Sequence, residues 1–115
     1  AASRDDAEIT KGRSEVSSIR SSIVLKRSQD LMSGGGANPA ALDSAASDTP
    51  GALLFDEVLD YGIPAGASSG KWRKTGTNEY SFNLSGTWVA FDYNATTGRF
   101  NCTDPSSQGC LDLTR

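Results

Sequence analysis

The sequence has no histidine, two cysteines, one methionine and four prolines in 115 residues. Without histidine, Ser–His and Cys–His nucleophile pairs and the usual zinc ligand sets are excluded. Any acid–base work falls to carboxylates. Basic charge is short as well: 11 lysines and arginines against 14 aspartates and glutamates give a formal net charge of −3. Such a balance provides no global attraction to nucleic acid or to an anionic membrane, so affinity for either would have to be local. Apolar residues make up 37% of the chain, which fits one domain with a modest core. No run is long and apolar enough to span a bilayer, and residues 1 to 20 hold no short apolar stretch of the secretory-signal kind. No repeat at solenoid spacing occurs either. The opening "AAS" reads as the join left by an N-terminal truncation.

Against these absences stands one long periodic segment. Ile9, Gly12, Val16, Ile19 and Ile23 fall within about 80° of one another on a helical wheel, a single narrow seam. Ser3 with Asp6 three residues on resembles a capping box, and "SGGG" at 33–36 supplies helix-ending glycines. The spacing therefore predicts a helix over residues 5–32, roughly 40 Å long, part of which projects from a small domain. Residues 34–50 are rich in Gly, Ala, Ser, Asn and Pro and read as a connecting loop, with one short turn of helix expected at "PAALDSAA". In "ALLFDEVLDYGI", Leu54, Val58 and Tyr61 keep helical spacing before Gly62 and Pro64, which predicts a second, short helix.

Beyond "PAGASSG" the period changes from 3.6 to 2. "KWRKT", "EYSFNL", "TWVAFDY" and "RFNCT" are joined by the turn-forming "GTN", "SG" and "NATTG". Tyr80, Phe82 and Leu84 share one face of their strand, and Val89, Phe91 and Tyr93 oppose Trp88, Ala90 and Asp92 on the next. Helices first and strands afterwards make an α+β domain: a long N-terminal helix on an antiparallel three- or four-stranded meander. Its expected parts are 1–33 (the helix), 34–70 (connecting loop with short helix) and 71–115 (sheet and C-terminal disulfide loop), all one domain.

Several groups could carry chemistry, each with a plainer alternative. Asp56, Glu57 and Asp60 would lie along one side of the short helix, but a solvated helix face accounts for them better than an acid–base pair. "DYNATTG", Asp92 to Gly98, places oxygen side chains at alternate positions, to which Asp104 and Asp112 could add. The bidentate glutamate of a calcium loop is missing, so a hairpin with Asn94 and Gly98 at positive φ is the reading. No cofactor and no metal site are expected, calcium being the one candidate. Lys71, Trp72, Arg73 and Lys74 form a basic cluster around a ring and are a candidate nucleic-acid contact, against a charged edge strand. Asn83, Asn94 and Asn101 begin N-x-S/T triplets, which chance alone produces in a Ser/Thr-rich chain. Cys102 and Cys110 flank "TDPSSQG", a span able to turn back on itself. A disulfide is the expectation in an exported chain and two free thiols the alternative.

Taken together, "EVSSIRSSIVLKRSQ", "LLFDEVLDYGI", "YSFNLSGTWVAFDYNATTGRFNC" and the Cys102–Cys110 loop resemble the type IV pilin and pseudopilin family over most of the chain. The resemblance implies a pilin-like fold in which the seam at Val16, Ile19 and Ile23 packs on the sheet. The end near Ile9 would continue into a transmembrane half-helix that this sequence lacks, together with its prepilin peptidase site. Arg20 and Arg27, beside the seam, would lay their stems over apolar surface and reach solvent or a neighbouring subunit. The implied role is structural and not enzymatic: a subunit of a type IV pilus or type II secretion pseudopilus, stacking with itself and with other pilin-like subunits. It would be anchored in the bacterial inner membrane with its domain in the periplasm, or reside in an extracellular filament. A second hypothesis is a secreted binding module whose Trp72, Tyr80, Trp88 and Tyr93 stack on sugar or single-stranded nucleic acid. A third, an enzyme using Asp56 and Asp60, is the weakest.

Overall fold

The structure, a computed structural model, describes residues 4–35 and 37–115 and, for residues 4 and 5, the backbone alone. Helix α1 (Arg4–Met32) is followed by a short antiparallel pair, β1 (Leu53–Leu54) and β2 (Ile63–Pro64). Next come four strands, β3 (Trp72–Gly76), β4 (Glu79–Leu84), β5 (Thr87–Asn94) and β6 (Arg99–Cys102), and a closing helix α2 (Gln108–Thr114). The four strands form one antiparallel meander in the order β3-β4-β5-β6. The α+β class and four of the predicted strands are therefore present.

Each boundary has a local cause. Helix α1 stops where Gly34 adopts φ +97°: the Gly35 amide donates to Asp30 O (2.7 Å) and the Gly34 amide to Leu31 O (3.2 Å), the paired bonds of a Schellman end. At its start, Ser3 of the expected capping box lies outside the described residues. Between β4 and β5 the loop is Ser85-Gly86, both at positive φ, as a two-residue type I′ hairpin requires. Strand β5 alternates as read, with Val89, Phe91 and Tyr93 buried. In β4 both faces are covered. Tyr80 and Phe82 enter the core, while on the other face Asn83 Nδ2 donates to Ala67 O (3.0 Å), which ties the 66–70 segment over it.

The seam Gly12, Val16, Ile19 and Ile23 is fully buried, with Ile9 half-buried. It packs α1 on β4, β6 and α2. A Cβ on Gly12 would lie 2.7 Å from Leu113 Cδ2 and 2.8 Å from Phe82 Cε2, so only glycine lets the helix approach this closely. Beneath the helix sits an aromatic core. Trp72 meets Phe55, Phe82 and Phe91 at ring-centroid distances of 5.6, 5.1 and 5.4 Å, and Phe91 stacks on Phe100 at 5.1 Å. The molecule measures 49 × 28 × 24 Å, its long axis set by a helix of about 43 Å.

Three expectations are corrected. Residues 53–64 are not a helix: they form β1, an irregular connection over 55–62 and β2, and no helix occurs at 39–46. The periodic trio Leu54, Val58 and Tyr61 does not share a buried face, since Tyr61 is 89% exposed. Instead the adjacent Leu54 and Phe55 are both buried, which Phe55 achieves by taking φ +63°, outside helical space. The C-terminal loop contains a helix. Ser107 caps α2 by accepting the Cys110 amide (3.3 Å), and Cys110 and Leu113 face inward three residues apart.

Candidate functional site

The sequence-derived candidates separate in space. Lys71, Trp72, Arg73 and Lys74 do not form one surface. Lys71 is exposed, whereas Trp72 is in the core with its Nε1 donating to Glu15 Oε1 (3.3 Å). Arg73 points to the opposite sheet face, its guanidinium carbon 4.0 Å from the centre of the Trp88 ring. Lys74 is buried. A strand sends neighbouring side chains to opposite faces, so four consecutive residues cannot make one stacking groove. The set Trp72, Tyr80, Trp88 and Tyr93 fares likewise: three rings are buried and Trp88 alone is partly exposed, beneath Arg73.

The 92–98 segment is the expected hairpin, with one amendment. Gly98 has φ +74°, but Asn94 keeps negative φ and acts through its side chain, Oδ1 accepting the Thr96 amide (2.9 Å) and the Thr97 amide (3.2 Å). Asp104 and Asp112 are engaged locally, with Ser106 (3.1 Å) and Gln108 (2.8 Å). Among the described residues no cluster of three or more His, Cys, Asp or Glu could hold a metal ion. Of the glycosylation triplets, Asn83 is buried, while Asn94 and Asn101 are exposed. Cys102 and Cys110 are disulfide-bonded, with 5.9 Å between Cα atoms.

One polar cluster was not foreseen. Asp43, in the segment read as a connecting loop, is buried. Its Oδ1 receives Lys74 Nζ (2.7 Å) and the Ala45 amide (3.2 Å), and its Oδ2 receives the Tyr80 hydroxyl (2.6 Å) and the Phe55 amide (3.0 Å). Burial first, and the Asp43 carboxylate second, push the Tyr80 phenol far above its ordinary range, so it stays a proton donor. Lys74 Nζ also donates to Ala45 O (2.8 Å). Every group is satisfied, and although Lys74 also borders a small cavity of about 130 Å³, its Nζ is held by Asp43 and Ala45, so the cluster ties loop 40–55 to the sheet.

The surface that stands out is the outer side of α1. Positions 14, 21 and 28 are all serine, positions 17, 24 and 31 are Ser, Val and Leu, and positions 18, 25 and 32 are Ser, Leu and Met. All nine are exposed. They lie in three adjacent rows at seven-residue spacing on the helix, only the first of which keeps one residue type, and include no charge. Val24, Leu25, Leu31 and Met32 are 65%, 59%, 53% and 89% exposed, an apolar band at the C-terminal end of an otherwise serine-lined face. The spacing was readable in the sequence, but serine carries no hydropathy signal, and only the buried seam stood out. That seam is occupied within the chain's own core, so Val16, Ile19 and Ile23 are not free for a neighbour.

Two grooves flank this face. One, of about 300 Å³ between α1 and α2, has Val16 and Leu113 in its floor and Arg13, Arg20 and Arg115 around it. Arg13 Nε donates to Asp112 O (2.9 Å) and Arg20 Nε to Phe100 O (2.9 Å), which fixes both side chains. Arg20 thus packs on β6 as well as reaching the groove, and Arg27 meets Asn38 Oδ1 (3.5 Å). The other groove lies between α1 residues 22–29 and the turn carrying Asp56, Glu57 and Asp60, all exposed.

No known family model, curated protein or solved structure matches this chain. Among the described residues no helix is long and apolar enough to cross a membrane.

Proposed function

We propose that this chain is a structural subunit of a helical filament of the type IV pilus or type II secretion pseudopilus kind, with a pilin-like fold and no catalytic activity of its own. One observation supports the reading: α1 buries one face and leaves another exposed without charge. Its inner seam is buried in the domain, while its outer face runs through more than two heptads with no charge and four large exposed apolar side chains. Four large apolar side chains clustered in residues 24–32 are costly to leave in water, and a neighbouring helix would cover them. Serine at each of positions 14, 21 and 28 permits close helix approach at modest desolvation cost.

On this proposal the protein is held in the bacterial inner membrane with its domain in the periplasm before it assembles with copies of itself and related subunits. The test is immunogold labelling of cells expressing the full gene with an epitope tag. Decorated thin filaments are the expected result; a protein recovered solely as a dispersed monomer would sink the proposal.

A further inference from the structure

The geometry points to a head-to-tail contact between copies of this chain, in which the acidic 56–61 turn of one copy seats in the basic α1–α2 groove of the next. It rests on the filament reading above and names the contact that would build it. The turn projects Asp56, Glu57 and Asp60 together with Tyr61, whose ring is 89% exposed. Among the described residues none of the three carboxylates has an ion-pair partner, and neither do Arg13, Arg20 and Arg115 at the groove. No acidic side chain lines that groove, whose accessible walls carry Arg13, Arg20 and Arg115 together with Ser17 and Ser21. Three carboxylates beside an exposed tyrosine thus complement in charge three guanidinium groups, two of them held in place by backbone carbonyls and none ion-paired among the described residues.

The positions of knob and groove fix the kind of assembly. On α1 the groove is lined by residues between 13 and 21, the knob side by residues between 22 and 29, and the uncharged outer face lies between the two on the helix circumference. Knob and groove are different surfaces, so the contact is heterologous and need not close into a ring. With parallel helices, each copy is displaced along α1 by about eight residues, or about 12 Å. That is close to one heptad, so the outer faces of successive helices stay near register and turn to the same side.

The test reverses each surface in the full-length protein. One variant carries Arg13→Glu and Arg115→Glu, the other Asp56→Lys and Asp60→Lys. All four positions are exposed, and thermal melts check that both variants fold like the wild type. Each variant alone should yield about tenfold fewer immunogold-labelled filaments or less. Co-expression should restore them, because each altered surface then meets its complement on the other variant. Tyr61→Ala, which removes a ring with almost no intramolecular contact, should also lower the count. If wild type makes filaments but the reversed variants do too, or co-expression restores nothing, this contact is wrong while the filament reading stands. If wild type makes none, the filament reading fails and takes the contact with it.

Discussion

Asp43 illustrates how a single side chain can organise a domain with few apolar residues. Its two oxygens take four donors, from Lys74, Tyr80, Phe55 and Ala45, so loop 40–55 is held against the sheet through hydrogen bonds. Replacing Asp43 by Ala would leave Lys74 buried without its counter-charge, and should cost about 3–5 kcal/mol in urea unfolding. Tyr80→Phe removes one bond to a charged acceptor and should cost about 1.5–3 kcal/mol. Equal costs for the two variants would mean that the Lys74 pair adds nothing. Glu15 offers a pH test. Burial raises its carboxyl above the ordinary 4.5, and the nearby Lys11 only partly opposes this. The native state therefore holds this proton more readily than the unfolded chain, so its contribution is greatest below pH 4.5 and is lost as pH rises through the native value. Unfolding at several pH values should show Glu15→Gln gaining stability relative to wild type across that window, and a trend of opposite sign would mean that the Lys11 attraction dominates.

At the scale of elements, Gly12 sets two effects against each other. Alanine is the better helix former by about 1 kcal/mol. Its Cβ, however, would sit under 3 Å from Leu113 and Phe82, and overpacking of that kind costs about 1–3 kcal/mol. Gly12→Ala should therefore lower the melting temperature, whereas a rise would mean that α1 and α2 are loosely docked. Val24→Asp with Leu31→Asp makes the converse case: both side chains are exposed, so stability should change by no more than about 0.5 kcal/mol per site while filaments disappear. The same elements show which features a sequence displays. The α1 seam was legible because five positions over fifteen residues repeat the period, and the strands because alternation and turn residues agree. Residues 53–64 misled because Leu54, Val58 and Tyr61 match a helix by spacing. The bond from the Phe55 amide to Asp43, twelve residues away, that holds the alternative has no local signature. Helix α2 has only seven residues, too few for a period, although its Ser107 cap and the spacing of Cys110 and Leu113 were there to be read. Neither groove could be foreseen, since each joins segments distant in sequence.

For the whole molecule, the disulfide links folding to the proposed assembly. Cys102 ends β6 and Cys110 lies in α2, so the bond clips the last helix to the last strand. Through Leu113, α2 then covers Gly12 and completes the floor of the basic groove. Closing a loop with eight residues of separation contributes about 2–3 kcal/mol by restricting the unfolded chain. Cys102→Ser with Cys110→Ser should therefore lower unfolding stability by about that amount and leave the four-stranded sheet intact, since its strands are held by their own β3-β4-β5-β6 pairing. The effect on assembly should be larger than the stability loss implies, because the freed α2 withdraws Leu113 and Arg115 from one side of the groove. Amide hydrogen exchange separates the two: protection should fall at residues 108–114 while β4 and β5 keep theirs. Uniform loss of protection across the sheet would mean instead that α2 is part of one cooperative unit with the core, and that the groove cannot be opened without unfolding the domain.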